Sequence, residues 1–168
     1  MRAVTDTVDE KITVRAADAA DAAAIARTHI RSREVAMPWL PPRKRSDAEV
    51  ERWVREVVLV DAEVSVAVDG GGSVVGYAAV EGEWLEHLYL MPEVRRRGIG
   101  SLLLARAKAQ RPGGLDLHVF QRNTDARAFY ARHGFTVVDL NDGSRNMERE
   151  PDMTLRWNPV TNGTPTDG

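Results

Sequence analysis

Leu88-Tyr89-Leu90-Met91-Pro92-Glu93-Val94-Arg95-Arg96-Arg97-Gly98-Ile99-Gly100-Ser101 is the stretch whose reading decides the fold. A strand, Trp84 to Met91, runs into the basic loop Pro92 to Arg97. A helix then begins at once, with Ile99, Leu102, Leu103 and Ala107 at helical spacing. The first amides of such a helix have no partner within it, and its dipole favours an anion there by about 0.3–1 kcal/mol. Gly98 and Gly100 lack β-carbons, so a phosphate can approach the backbone, and three consecutive arginines add charge matched to phosphate oxygens. Alone, this pattern says only that an anion suits the helix start. A solvated charged loop with two turn glycines has the same residues. A dinucleotide fingerprint needs glycine where Leu103 stands, and no Walker lysine follows Gly100.

Outward from this stretch, the apolar period changes repeatedly, as in mixed α/β chains. Towards the amino terminus, Ile12 to Arg15 reads as a strand and Asp18 to Glu34 as an alanine-rich helix. Met37-Pro38-Trp39-Leu40-Pro41-Pro42 breaks regular structure, and Ser46-Asp47-Ala48-Glu49 is a capping box opening a second helix. Val64 to Asp69 and Val74 to Val80 alternate around a glycine turn. Towards the carboxyl terminus, Leu115 to Phe120 is a strand, Asn123 begins a helix stopped at Gly134, and Phe135 to Leu140 and Met153 to Trp157 are the last strands. The fold class is therefore α/β, in the order β-α-α-β-β-β-α-β-α-β-β. The sheet is expected to be mixed, mainly antiparallel and twisted, flanked by helices. One domain is expected over residues 1–158, followed by a mobile polar tail over 159–168.

The 168 residues are 43% hydrophobic and 29% charged, with a formal net charge of -2. That balance describes an ordinary globular chain with no global attraction to nucleic acid or anionic membrane. There is no cysteine, which removes thiolate nucleophiles and cysteine metal sites. His29, His87, His118 and His133 have no metal-site spacing, so no metal is expected. Met1 to Glu10 lacks the apolar core of a signal peptide, and no apolar run is long enough to span a bilayer; a cytoplasmic protein is expected.

The quoted stretch resembles the signature of the GNAT N-acetyltransferase superfamily, Gln/Arg-x-x-Gly-x-Gly/Ala, here Arg95 to Gly100. A second resemblance lies in Asn123-Thr124-Asp125-Ala126-Arg127-Ala128-Phe129-Tyr130-Ala131-Arg132-His133-Gly134-Phe135, with asparagine, tyrosine and a Gly-Phe pair in the family's order. The likeness is close from Val64 to about Leu140. It implies acetyl-CoA as cosubstrate and an amine as acceptor. Leu88, Tyr89 and Leu90 would pair through their backbone with the pantetheine arm, an amide near Leu88 also meeting the thioester oxygen. Arg96, Arg97, Gly98, Ile99, Gly100 and Ser101 would hold the pyrophosphate, and Asn123 the pantetheine end. Tyr130 would protonate the departing thiolate.

The general base is open among His118, Glu86 and His87, because the register of the strand Trp84 to Met91 decides which side chain faces the cleft. The acceptor pocket is expected from the first two helices, Met37 to Arg45 and the loop Asn141 to Pro151, with Trp39 and Trp53 as candidate lining. A catalytically inactive acyl-CoA sensor would share the phosphate site. A homodimer through an exposed strand edge is left open.

Overall fold

In a computed structural model, residues 11–159 are described. Residues 1–10 of the expected domain, and all of the expected tail but Pro159, lie outside them. The chain opens with β1 (Thr13–Ala16) and a 3-10 turn, Ala19–Asp21, whose cap Asp18 forms a reciprocal box with Asp21. Helix α1 (Ala22–Ala36) follows, so the helix expected from Asp18 starts as a separate tighter turn. Ser46 and Glu49 close the expected capping box on α2 (Asp47–Trp53). That helix continues through a π-helical stretch, Val54–Val58, into the short α3 (Leu59–Asp61).

Then come β2 (Glu63–Val68), β3 (Val74–Glu81) and β4 (Trp84–Leu90), a 3-10 turn at Pro92–Val94, and α4 (Ile99–Gln110). The chain ends with β5 (Leu115–Phe120), α5 (Thr124–Arg132), β6 (Phe135–Asn141) and β7 (Asp152–Trp157). The element order is the expected one. The strands form one sheet in the order β1-β2-β3-β4-β5-β7-β6. Every neighbouring pair is antiparallel except β4 and β5.

Each face of this sheet has its own apolar cluster. Ile99, Leu103, Leu104 and Ala107 of α4 pack with Ala78, Leu85, Leu115 and Leu117. Ile25 of α1, with Val50 and Val54, packs with Val66, Tyr77 and Ala79. Strand β3 lies between the two clusters and is buried from Val74 to Val80, as expected of a strand covered on both sides. No helix among the described residues is long and apolar enough to cross a membrane.

Two irregularities shape the middle of the sheet. Strands β4 and β5 share only one matched pair, Trp84 with Asp116, and then diverge. Beyond that point the β5 side of β4 has no strand partner. Against β3, Ala79 matches His87 but Val80 matches Leu85, so Glu86 is an extra residue and forms a β-bulge. A bulge adds twist and redirects side chains.

Candidate active site

The helix start expected to hold an anion is built at the mouth of the gap between β4 and β5. Arg96 and Gly98 both have left-handed backbones, with φ of 67° and 81°, and they turn the chain sharply into α4. A side chain at Gly98 would be strained by that conformation although the space beside it is open. No side chain among the described residues caps α4, and its first return bond reaches Gly98 O from the amide of Leu102. The amides of Ile99, Gly100 and Ser101 are therefore the orphan donors of this helix. Arg95 reaches Asp125 of α5 at 3.4 Å and ties the loop to the opposite wall.

A cleft of about 630 Å³ runs from this cradle along the unpaired edge of β4. Leu88, Tyr89, Leu90, Arg96, Gly98, Gly100, Ser101, Asn123 and Tyr130, each expected from sequence, all line it. Ile99 is fully buried and Arg97 is outside the cleft lining, so only their backbones are placed to contribute. The Ser101 hydroxyl donates to His133 Nε2 at 3.0 Å, because His133 Nδ1–H is spent on Phe129 O at 2.8 Å. Asn123 caps α5, its side-chain oxygen accepting from the Ala126 amide at 3.2 Å. The sequence reading missed Asp125, Phe129 and Arg132 in this wall. Their i, i+4, i+7 spacing on α5 is the signal that could have found them.

A second cavity, of about 340 Å³, opens beside the first. Met37, Leu88, Tyr89, Asn123, Ala126 and Tyr130 line both. Glu86, His87 and His118, the three candidate bases, all face this second cavity. Simple alternation along β4 would have sent Glu86 and His87 to opposite faces. The bulge at Glu86 brings both to one side. Arg33 of α1 donates to Tyr89 Oη at 3.0 Å and to Glu148 at 3.3 Å, bridging the cavity from helix to the β6–β7 loop. Met37 and that loop line the cavity as expected, whereas Trp39 and Trp53 do not. Trp39 packs edge-on against Phe120 beneath Arg122, and Trp53 packs against His29 and His87.

The acetyltransferase (GNAT) domain family matches residues 60–137, which contain the bulge, the cradle and Tyr130. Residues 60–137 thus belong to the GNAT acetyltransferase domain family. The chain is 38% identical over 95 residues to the peptidyl-lysine N-acetyltransferase YjaB of Salmonella typhimurium. That match covers 56% of this chain and 64% of the relative, less than two thirds of its length. The solution structure of apo-form YjaB from Escherichia coli superposes with a TM-score of 0.71 at 25% identity, covering 88% of this chain and 97% of that one. YncA of Salmonella typhimurium, solved with acetyl-CoA, gives a TM-score of 0.67 at 23% identity over 94% of this chain and 99% of that one.

Electrostatics separate the three candidate bases. Burial and the nearby Arg33 guanidinium push the His87 imidazole down to about 4, so it is neutral at neutral pH and a weak proton acceptor. Its Nδ1 is buried without a hydrogen-bond partner among the described residues. Partial enclosure raises the Glu86 carboxyl above its ordinary value, Glu81 adding to the rise and His118 opposing it. His118 is stacked on Trp84 and bonded to Thr154. Burial raises the Tyr130 phenol, with Tyr89 contributing, so that it holds its proton far above neutral pH.

Proposed function

We propose that this chain moves an acetyl group from acetyl-CoA to a primary amine of a small molecule or peptide. One observation carries the reading: the cleft ending at the phosphate cradle and the cavity holding the candidate bases share a wall, and Tyr130 lies in that wall. A donor laid along one cavity and an acceptor in the other would meet beside a buried, protonated phenol. Of the domain expected over residues 1–158, the described part is taken as the one unit that builds both, because the sheet runs from β1 at one edge to β6 at the other.

The residues fit the donor. The orphan amides after Gly98 and the Arg96 guanidinium suit a diphosphate, and the unpaired edge of β4 from Leu88 to Leu90 suits an amide-bearing arm. Acetyl-CoA, when bound, supplies the acetyl thioester. An amide near Leu88 would stabilise charge on its carbonyl oxygen, and Asn123 would orient the arm. On the acceptor side, His118 or Glu86 takes a proton from the amine, and Tyr130 gives its proton to the departing thiolate. The acceptor is read as a cationic amine. Glu148, Glu86 and Asp152 bring carboxylates to the cavity wall, and among the described residues lining it only Arg33, paired with Glu148, brings a permanent positive charge. The lysine of a peptide, the substrate in the relative's name, is one member of that class.

The test is thiol release across a panel of amines, paired with calorimetry of acetyl-CoA binding. Amine-dependent release with measurable binding is expected. Binding without release for any amine would make the chain an acyl-CoA sensor, and no binding at millimolar ligand would end the reading altogether.

A further inference from the structure

We propose that Thr154 and Trp84 are positioning residues that make His118 the proton acceptor for the incoming amine. This rests on the acetyl-transfer reading and deepens it, since the cavity alone admits three bases. A general base has to be held in place, because a displacement of about 1 Å costs up to about 10²-fold in rate. Glu86 lacks such support: its carboxylate makes no hydrogen bond or ion pair among the described residues. His87 has its Nδ1 sealed off and resists protonation.

His118, by contrast, is gripped from two neighbouring strands. On one side the indole of Trp84 lies nearly parallel to the imidazole, with centroids 4.6 Å apart and planes at 24°. This contact sits at the single point where β4 and β5 still pair, Trp84 with Asp116, just before the gap opens. On the other side Thr154 is the register partner of His118 across β5 and β7, and its Oγ1 lies 3.3 Å from His118 Nδ1. Thr154 is 8% exposed, so its hydroxyl is fixed by packing. The stack sets the plane of the ring, and the hydroxyl sets its rotation within that plane.

The consequence is a choice of nitrogen. With Nδ1 against Thr154, Nε2 is the ring nitrogen left for the cavity. To act as base, Nε2 must be unprotonated, so the neutral ring carries its proton on Nδ1 and donates it to Thr154 Oγ1. The ammonium N–H bond then breaks, an Nε2–H bond forms, and the electron pair stays on the amine nitrogen. That pair forms the bond to the acetyl carbon as the carbon–sulfur bond breaks; the thiolate takes the Tyr130 proton, and the second proton shed by the acylated nitrogen returns the phenolate to a phenol.

The experiment compares Thr154→Val, Thr154→Ser and His118→Gln by steady-state kinetics, with nitrogen-15 NMR of the imidazoles. His118→Gln is expected to lower kcat by about 10²-fold or more. Thr154→Val should lower it about tenfold with KM for acetyl-CoA unchanged, and Thr154→Ser should restore it. In the native protein the His118 signals, assigned by their loss in His118→Gln, should show the proton on Nδ1, with redistribution to Nε2 in Thr154→Val. Full kcat or an unshifted tautomer in Thr154→Val would overturn the positioning role while leaving acetyl transfer intact. Full kcat in His118→Gln with a low value in Glu86→Gln would hand the base to Glu86 and overturn the proposal. Absence of turnover by the native protein with any amine, despite acetyl-CoA binding, would overturn both this proposal and the reading beneath it.

Discussion

Replacing Tyr130 with phenylalanine separates chemistry from architecture in this site. The ring is 8% exposed and lies between Phe129 and Phe135, at centroid distances of 5.2 and 5.4 Å. Its hydroxyl makes no hydrogen bond among the described residues, so Tyr130→Phe leaves no partner stranded and keeps the packing. Stability should therefore change by less than about 0.5 kcal/mol. The loss falls on the reaction. A positioned proton donor contributes about 10²–10⁴-fold, which is about 2.7–5.4 kcal/mol of barrier. Because burial keeps the phenol protonated far above neutral pH, that loss should be the same across an ordinary pH range. The assay is thiol release at saturating acetyl-CoA and amine, beside calorimetry of acetyl-CoA binding and a thermal midpoint. We expect turnover at least about 100-fold lower, with cofactor affinity and midpoint unchanged. Turnover within about twofold of the native value would refute the acid role. A parallel loss of cofactor affinity would refute it too, by making Tyr130 a binding residue.

Gly98→Ala meets open space but must adopt φ of 81°, so it should cost about 1–2 kcal/mol of stability and weaken CoA binding. Urea unfolding and calorimetry read these two effects, and retained affinity would detach the cradle from the cofactor. His87 gives a pH test. Its folded value of about 4 lies below the ordinary 6.5, so in that window the unfolded chain binds a proton that the folded ring refuses. The stabilisation is complete above pH 6.5 and declines as pH falls towards 4. His87→Gln should reduce the stability lost between pH 7 and pH 5, though not abolish it, since His29 is depressed in the same direction. An undiminished loss would show that His87 is not held neutral. Ser46→Ala breaks the reciprocal bonds with Glu49 at α2 and should cost about 1 kcal/mol in urea unfolding, with turnover unaffected; no loss of stability would mean that the box does not hold the helix start.

The elements were legible because each has a local signature. The Ser46–Glu49 box, the Gly98 break and the Asn123 cap are all encoded within a few neighbouring residues, and all appear where expected. The wall proposed for the cofactor is encoded in the same local way, since its donors are successive residues at one helix start. Where the signal is non-local, the reading thinned. Thr154 contacts His118 only because β7 inserts between β5 and β6, a strand order that no local pattern announces. Trp39 and Trp53 looked like pocket lining because large aromatics suit a pocket and a core equally, and here they pack against Phe120 and the His29 cluster.

The bulge at Glu86 shows why the base was the hardest assignment. Under a strict two-residue period, one of Glu86 and His87 must face away from the acceptor cavity, and the question becomes one of register. A single extra residue in β4 removes that constraint, so register no longer distinguishes them. Selection among the bases then passes to support and solvation. His87 is desolvated to the point of refusing a proton, Glu86 is unsupported, and His118 is held from both neighbouring strands. The same region also contains the divergence of β4 from β5 that leaves a strand edge for the proposed donor. The sheet is thus least regular where the proposed donor and acceptor would meet. A more regular sheet there would close the gap, turn Glu86 or His87 away, and leave the α4 cradle with no channel leading to Tyr130.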